Sequence, residues 1–158
     1  MRIYIDSSAY VKYYGKTEFE KGADVIERIM SEVKSRQHVL FSSYWGLPEV
    51  VAAIDSWERK KYISPKEKRL LYSRLVGDML DWLEKGRLVF IGVPHERYLR
   101  LEFLRFIKDE HLSPGDALHL YTANLIQPDL LVTTDSNQIR VARSLGLKSF
   151  NPEKQVWH

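Results

Sequence analysis

The chain has no cysteine among its 158 residues, which excludes a disulfide framework and any thiolate metal site. It has no apolar run of membrane-spanning length, and its start, MRIYIDSS, lacks the apolar stretch of a secretory signal. A cytoplasmic protein with no membrane attachment is therefore expected. No glycine-rich phosphate loop occurs, which argues against a nucleotide-dependent motor or a dehydrogenase. Internal repeats, linkers and low-complexity segments are also missing. What remains is ordinary for one domain: 44% hydrophobic and 28% charged residues, enough to bury a real core. The net charge of +3 permits a polyanionic partner without requiring one.

Hydrophobic periodicity divides the chain into alternating strands and helices. Arg2 to Ile5 reads as a strand, followed by the helical run SSAYVKYY, closed by Gly15. Glu18 to Ser35 reads as a second helix, with Phe19, Ala23, Ile26, Ile29, Met30 and Val33 on one face. His38 to Ser42 is a strand. A third helix, striped by Leu47, Val50, Val51, Ile54 and Trp57, is placed from about Pro48, because proline is tolerated only in a first turn. Pro65 to Lys85 is a long amphipathic helix, Leu88 to Val93 a strand and His95 to Glu110 a helix.

A mostly apolar helix then enters through Ser113 and Pro114, breaks at Gln127 and Pro128, and leads into LLVTT. That run reads as a strand covered on both faces. Ser136 to Leu145 is a last helix, LKSF a last short strand, and NPEKQVWH a tail expected to be less ordered. Without hairpin signals between the strands, crossovers and a mostly parallel sheet with helices on both faces follow.

In such a sheet all strands end on one edge, where these folds place ligands. Asp6 and Asp135 each follow a strand, and Glu49 and Asp116 each lie near the start of a helix that begins on that edge. Asp129 precedes its strand and belongs to the opposite edge, as a solvated loop residue. Each of the four acids has a plain structural explanation. Asp6 and Asp135 are possible helix N-caps, Glu49 suits a helix dipole, and Ser113-Pro114-Gly115-Asp116 fits a capping box, as does Ser64-Pro65-Lys66-Glu67. Four carboxylates at one edge repel one another, however, and call for cations or shared protons. Oxygen ligands alone select hard cations, Mg²⁺ or Mn²⁺, suited to hydrolysis at phosphorus. A convergence of Asp6, Glu49, Asp116 and Asp135 on one pocket is expected, with Asp129 outside it.

The residues YIDSSAYVKYY, EVVAAI, GDALHLYTA and LVTTD resemble the acidic motifs of the PIN-domain family, in particular the VapC-type toxin ribonucleases. The resemblance spans nearly the whole chain, with the motifs in the family's order. It implies a three-layer α/β/α sandwich around a five-stranded parallel sheet, and a metal-dependent endoribonuclease acting on RNA with Mg²⁺ or Mn²⁺. By position, the metal-binding and catalytic acids fall on Asp6, Glu49, Asp116 and Asp135. Ser8 and Thr134 fall where supporting hydroxyls stand. His119, three residues after Asp116, lies on the same helix face and either reaches the site or packs as a hydrogen-bonded core residue. The resemblance further implies a homodimer and a small antitoxin that blocks the acidic edge.

Two departures stand out. Ser136, Asn137 and Gln138 follow Asp135 where many members carry another acid, and Pro48 directly precedes Glu49. The alternatives are a non-catalytic RNA-binding domain of the same fold and a phosphatase with Asp6 as nucleophile. The latter usually needs an aspartate two residues on, where Ser8 stands.

Overall fold

The protein, described here by a computed structural model over residues 1–15, 21–94, 96–97 and 100–157, alternates strands and helices as its periodicity predicts. The strands are β1 (Arg2–Ile5), β2 (Val39–Ser43), β3 (Leu88–Ile91), β4 (Leu130–Val132) and β5 (Ser149–Phe150). Among the described residues there are seven helices: α1 (Ser7–Tyr14), α2 (Ala23–Lys34), α3 (Gly46–Arg59), α4 (Pro65–Glu84), α5 (Leu101–Lys108), α6 (Pro114–Ile126) and α7 (Ser136–Ser144). All strand pairs are parallel, in the order β3-β2-β1-β4-β5. The chain winds outward from β1 in one direction, then returns to β1 and winds outward in the other. The direction therefore switches between β1 and β4, the position at which open parallel sheets form a ligand crevice.

Strand alternation sorts side chains into two cores. Ile3, Ile5, Leu40, Leu88 and Val132 pack with residues of α1 to α4 on one face. Tyr4 and Leu131, from the same strands, pack with α5, α6 and α7 on the other. The result is a three-layer α/β/α sandwich around a five-stranded parallel sheet. Among the described residues no helix is long and apolar enough to cross a membrane.

Several boundaries differ from the sequence reading, each for a local reason. α3 begins at Gly46, two residues before Pro48, and its N-cap position, Trp45, makes no side-chain cap hydrogen bond. Proline is accommodated at the third helical position because the first four N–H groups of a helix have no intrahelical acceptor. Gly15 ends α1 in an extended conformation, φ −68° and ψ 157°, and not in the left-handed one. LLVTT forms a strand only through Val132. Of the expected second helix, Glu18 and Phe19 lie outside the described residues, as does His95 of the helix placed before Glu110.

The tail is tied down. Trp157 is buried against Phe150 and donates its indole N–H to Glu32 at 2.8 Å. Gly22, at φ +82°, passes so close to Pro152 that a Cβ there would stand 2.5 Å from its carbonyl oxygen. Asn151, also buried, donates to the Thr134 carbonyl at 3.3 Å, and so fastens the tail to the loop after β4.

Candidate functional site

Asp6 leaves the carboxyl end of β1 and is almost completely buried, at 1% exposure. Its Oδ1 accepts from the Ser8 hydroxyl at 2.6 Å and from the Ala9 N–H at 3.1 Å, which makes it the N-cap of α1. Its Oδ2 accepts from Thr133 Oγ1 at 2.6 Å. Burial pushes the Asp6 carboxyl above its ordinary pKa range, and the opposing pull of His119, Ser8, Thr133 and the Ala9 N–H does not restore it.

Asp135 caps α7, its Oδ1 accepting from the Gln138 N–H at 2.7 Å. Its own N–H donates to Thr133 Oγ1 at 3.1 Å, so one threonine hydroxyl joins Asp135 to Asp6. Gln138 continues the connection, its Nε2 donating to Asp116 Oδ1 at 2.8 Å. Asp116 also accepts from the Ser113 hydroxyl at 2.5 Å through Oδ2. The Ser113 side chain caps α6 as expected, accepting from the Asp116 N–H at 3.2 Å. The reciprocal carboxylate-to-backbone bond of a full capping box is seen at Ser64 and Glu67.

Glu49 stands in the first turn of α3. Its Oε2 lies 2.8 Å from His119 Nε2, and its Oε1 lies against Gly115, where a Cβ would come within 2.6 Å. Burial pushes the Glu49 carboxyl up, but hydrogen bonds from His119, Ser7 and Trp45 outweigh it and hold the group below the usual carboxylate range. His119 is itself buried and also meets the Tyr4 hydroxyl, at Nδ1, at 3.0 Å. Both ring nitrogens of His119 therefore have partners, Glu49 at Nε2 and Tyr4 at Nδ1. His119 thus plays both parts foreseen for it, packing in the core while contacting an acid of the edge.

The four acids therefore share the carboxyl edge, and Asp6, Asp135 and Asp116 are joined through Thr133 and Gln138 while Glu49 pairs with His119, but they do not form one coordination shell. Among the described residues no group of three His, Asp or Glu side chains could hold a metal ion. The physical reason is visible in the contacts: each carboxylate turns to its own hydroxyl, amide or imidazole, which lowers mutual repulsion. Asp129 lies at the opposite edge, as expected. It is more than a solvated loop residue, because its Oδ2 accepts from the Arg2 N–H at 2.7 Å.

Ser8 supports Asp6 as anticipated. The second supporting hydroxyl belongs to Thr133 and not to Thr134, whose contribution is its N–H to Ser8 Oγ at 3.0 Å. Gln138 and Gly115 were not foreseen. Gln138 stands three residues after a helix cap, the spacing of a capping partner. A glycine in a helix's first turn is costly enough to need a reason.

A hard dication such as Mg²⁺ or Mn²⁺ demands oxygen donors and close spacing. The donors suit such an ion in kind, since carboxylates dominate and the buried Gln138 Oε1 has no hydrogen-bond partner. The spacing would require Asp116 to leave Ser113 or Gln138.

His119→Ala is expected to lower stability by about 2–4 kcal/mol, because it opens a cavity and removes a hydrogen bond from the buried Tyr4 hydroxyl. A thermal melt should register a drop of about 4–16 °C. A loss under about 1 kcal/mol would mean that neighbouring side chains collapse into the space.

No family model matches the chain, and a search of curated proteins returns no match.

Proposed function

We propose that the protein is a metal-dependent endoribonuclease of the PIN-like type, hydrolysing phosphodiester bonds of RNA at the edge where β1 and β4 end. The observation that carries this reading is the connection of Asp6, Asp135 and Asp116 through Thr133 and Gln138 at the topological switch of a parallel sheet. Further support comes from a cavity of about 470 Å³ along α7, reaching Ser136 next to Asp135 and lined also by Arg143, Lys154 and Arg140, the last paired with Glu110; such cationic side chains suit a phosphate backbone.

In this reading Asp6, Asp116 and Asp135 would hold a Mg²⁺ or Mn²⁺ ion only after Asp116 turned away from Ser113 or Gln138 to close the spacing. When bound, such an ion lowers the pKa of water and offsets charge on the phosphorane-like transition state. Glu49, held ionised by His119, Ser7 and Trp45, is a weak base and is better suited to orienting a ligand or water than to removing its proton. His119 fixes Glu49, and Tyr4 fixes His119. Ser8 and Thr133 hold the two oxygens of Asp6 apart and in place. Attack of water in line with the leaving 3′ oxygen breaks the P–O3′ bond and leaves 5′ phosphate and 3′ hydroxyl ends. A cytoplasmic location, a homodimer and an antitoxin covering this edge belong to the same reading.

One observation favours a second reading. Both oxygens of Asp6 are already engaged and the acids are spaced beyond a shared ion, as suits a non-catalytic RNA-binding domain. Asp6 is equally ill placed as a phosphatase nucleophile.

Incubation of the purified protein with single-stranded RNA and Mn²⁺ separates the two. Cleavage that stops on chelation and returns with added Mn²⁺ is the expected result. Binding without cleavage at any Mn²⁺ or Mg²⁺ concentration would leave only the second reading.

A further inference from the structure

Just beyond β2, on the same edge as the acids, two aromatic side chains lie open to solvent: Tyr44 is 65% exposed and Trp45 50%. Large apolar rings are normally withdrawn from water, and isolated exposed ones are commonplace. These two are adjacent, and both are held. Tyr44 stacks on Phe90 of β3 with ring centroids 5.5 Å apart and planes 20° from parallel. Gly92 leaves room for its edge, since a Cβ there would stand 3.3 Å from Tyr44 Cε2. At its other end Trp45 turns its indole N–H toward Glu49, both of them packed around Gly115. A cavity of about 220 Å³ lies beside them, walled by Ser43, Ile91, Val93 and Leu118.

We infer that Tyr44 and Trp45 form a stacking platform for an unpaired base of RNA next to the cleaved phosphate, so that the site takes single strands in preference to duplex. The inference takes its substrate class from the proposed ribonuclease activity and goes on to say which part of the RNA is recognised. Three observations favour a base over an apolar protein partner. The rings are immobilised, so little conformational freedom is lost when a flat ligand stacks on them. Trp45 touches Glu49, which makes the platform continuous with the acidic edge. The chain leaving that edge after β3 carries Arg97 and Arg100, charges that favour a polyanion over an apolar protein partner. A paired base has both faces covered by its neighbours in the stack and cannot lie on the platform.

The test is binding in the presence of a chelator, where cleavage does not intervene. The protein is titrated with a short single-stranded oligoribonucleotide and, separately, with the same strand annealed to its complement, following tryptophan fluorescence and anisotropy of a labelled strand. The wild type should bind the single strand more tightly, with quenching of tryptophan emission. Tyr44→Ala should weaken single-strand binding by about 5- to 100-fold, leave duplex binding unchanged and leave the melting temperature unchanged, while Tyr44→Phe should bind as the wild type does.

Equal binding of single strand by Tyr44→Ala and wild type overturns the proposal, as does equal affinity of the wild type for duplex. Conversion of a dimer to a monomer by Tyr44→Ala in sedimentation also overturns it, because the patch is then a contact between copies. Failure of the ribonuclease reading looks different: Mn²⁺ gives no cleavage, yet Tyr44-dependent binding persists and the platform stands.

Discussion

Asp6→Asn is expected to reduce RNA cleavage by about 100- to 1,000-fold and yet to melt at or above the wild-type temperature at pH 7. Under the proposed ribonuclease reading, the activity loss follows from removing a charged metal-holding group whose effect on the transition state would amount to several kcal/mol, each 1.4 kcal/mol being about tenfold in rate. The stability result follows from burial. An acid whose folded pKa lies above its unfolded value binds more protons folded than unfolded. Its contribution is fully present below the unfolded pKa, about 3.9 for aspartate, and is lost as pH rises through the folded pKa. At pH 7 the wild type carries that loss and Asp6→Asn does not. Asparagine caps a helix as well as aspartate does, so the bond from the Ala9 N–H survives the change.

Melting curves from pH 7 down to pH 4 should therefore show the wild type gaining on Asp6→Asn as the pH falls. Mn²⁺ should raise the melting temperature of the wild type by mass action and leave the variant nearly unmoved. Asp6→Ala separates charge from cap, because it loses the cap as well, at a cost of about 1 kcal/mol. If Asp6→Asn melts several degrees below the wild type at pH 7, the carboxylate is a structural cap and its charge is no burden.

Gly115→Ala is expected to reduce cleavage by about 100-fold while leaving the fold intact or slightly firmer. Alanine is favoured over glycine in a helix by about 1 kcal/mol, so the substitution helps α6. Its Cβ, however, would stand 2.6 Å from Glu49 Oε1 and 3.3 Å from Trp45 Nε1, and the carboxylate must move. A displacement of about 1 Å at a reacting centre is enough for a loss on this scale. The measurement is kcat and KM for RNA cleavage together with a melting curve. An active, normally stable Gly115→Ala would show that Glu49 does not need its present position, and the weight of the site would shift to the three aspartates.

The acids were legible in the sequence because their positions follow from strand ends, and strand ends follow from composition. RIYI before Asp6 forms β1 over the expected residues, and the apolar LLV before Thr133 forms β4. Their pairing into one sheet then puts Asp6 and Asp135 on one edge, because parallel strands end together. What connects the acids was not legible. Thr133 and Thr134 are adjacent and chemically the same, and only strand direction decides that the first reaches Asp6. Gln138 reads as an ordinary polar helix residue until Asp116, 22 positions earlier, is brought beside it. The start of α3 was misplaced because Pro48 marks a first turn without saying which of its positions it occupies. The expected shared shell was overstated for a related reason: counting charges at an edge ignores the neutral hydroxyls, amides and imidazole that each acid finds first.

The winding of the sheet also sets when the edge is complete. Asp6 leaves the ribosome 127 positions ahead of Thr133, its hydrogen-bond partner. At about 5–20 residues per second this interval lasts on the order of ten seconds. Through it β1 has β2 to pair with but no β4, and the half of the edge that carries Asp116 and Asp135 has yet to be made. A nascent chain therefore carries an open β1 flank, and Asp6 and Asp135 share an edge only once β4 docks.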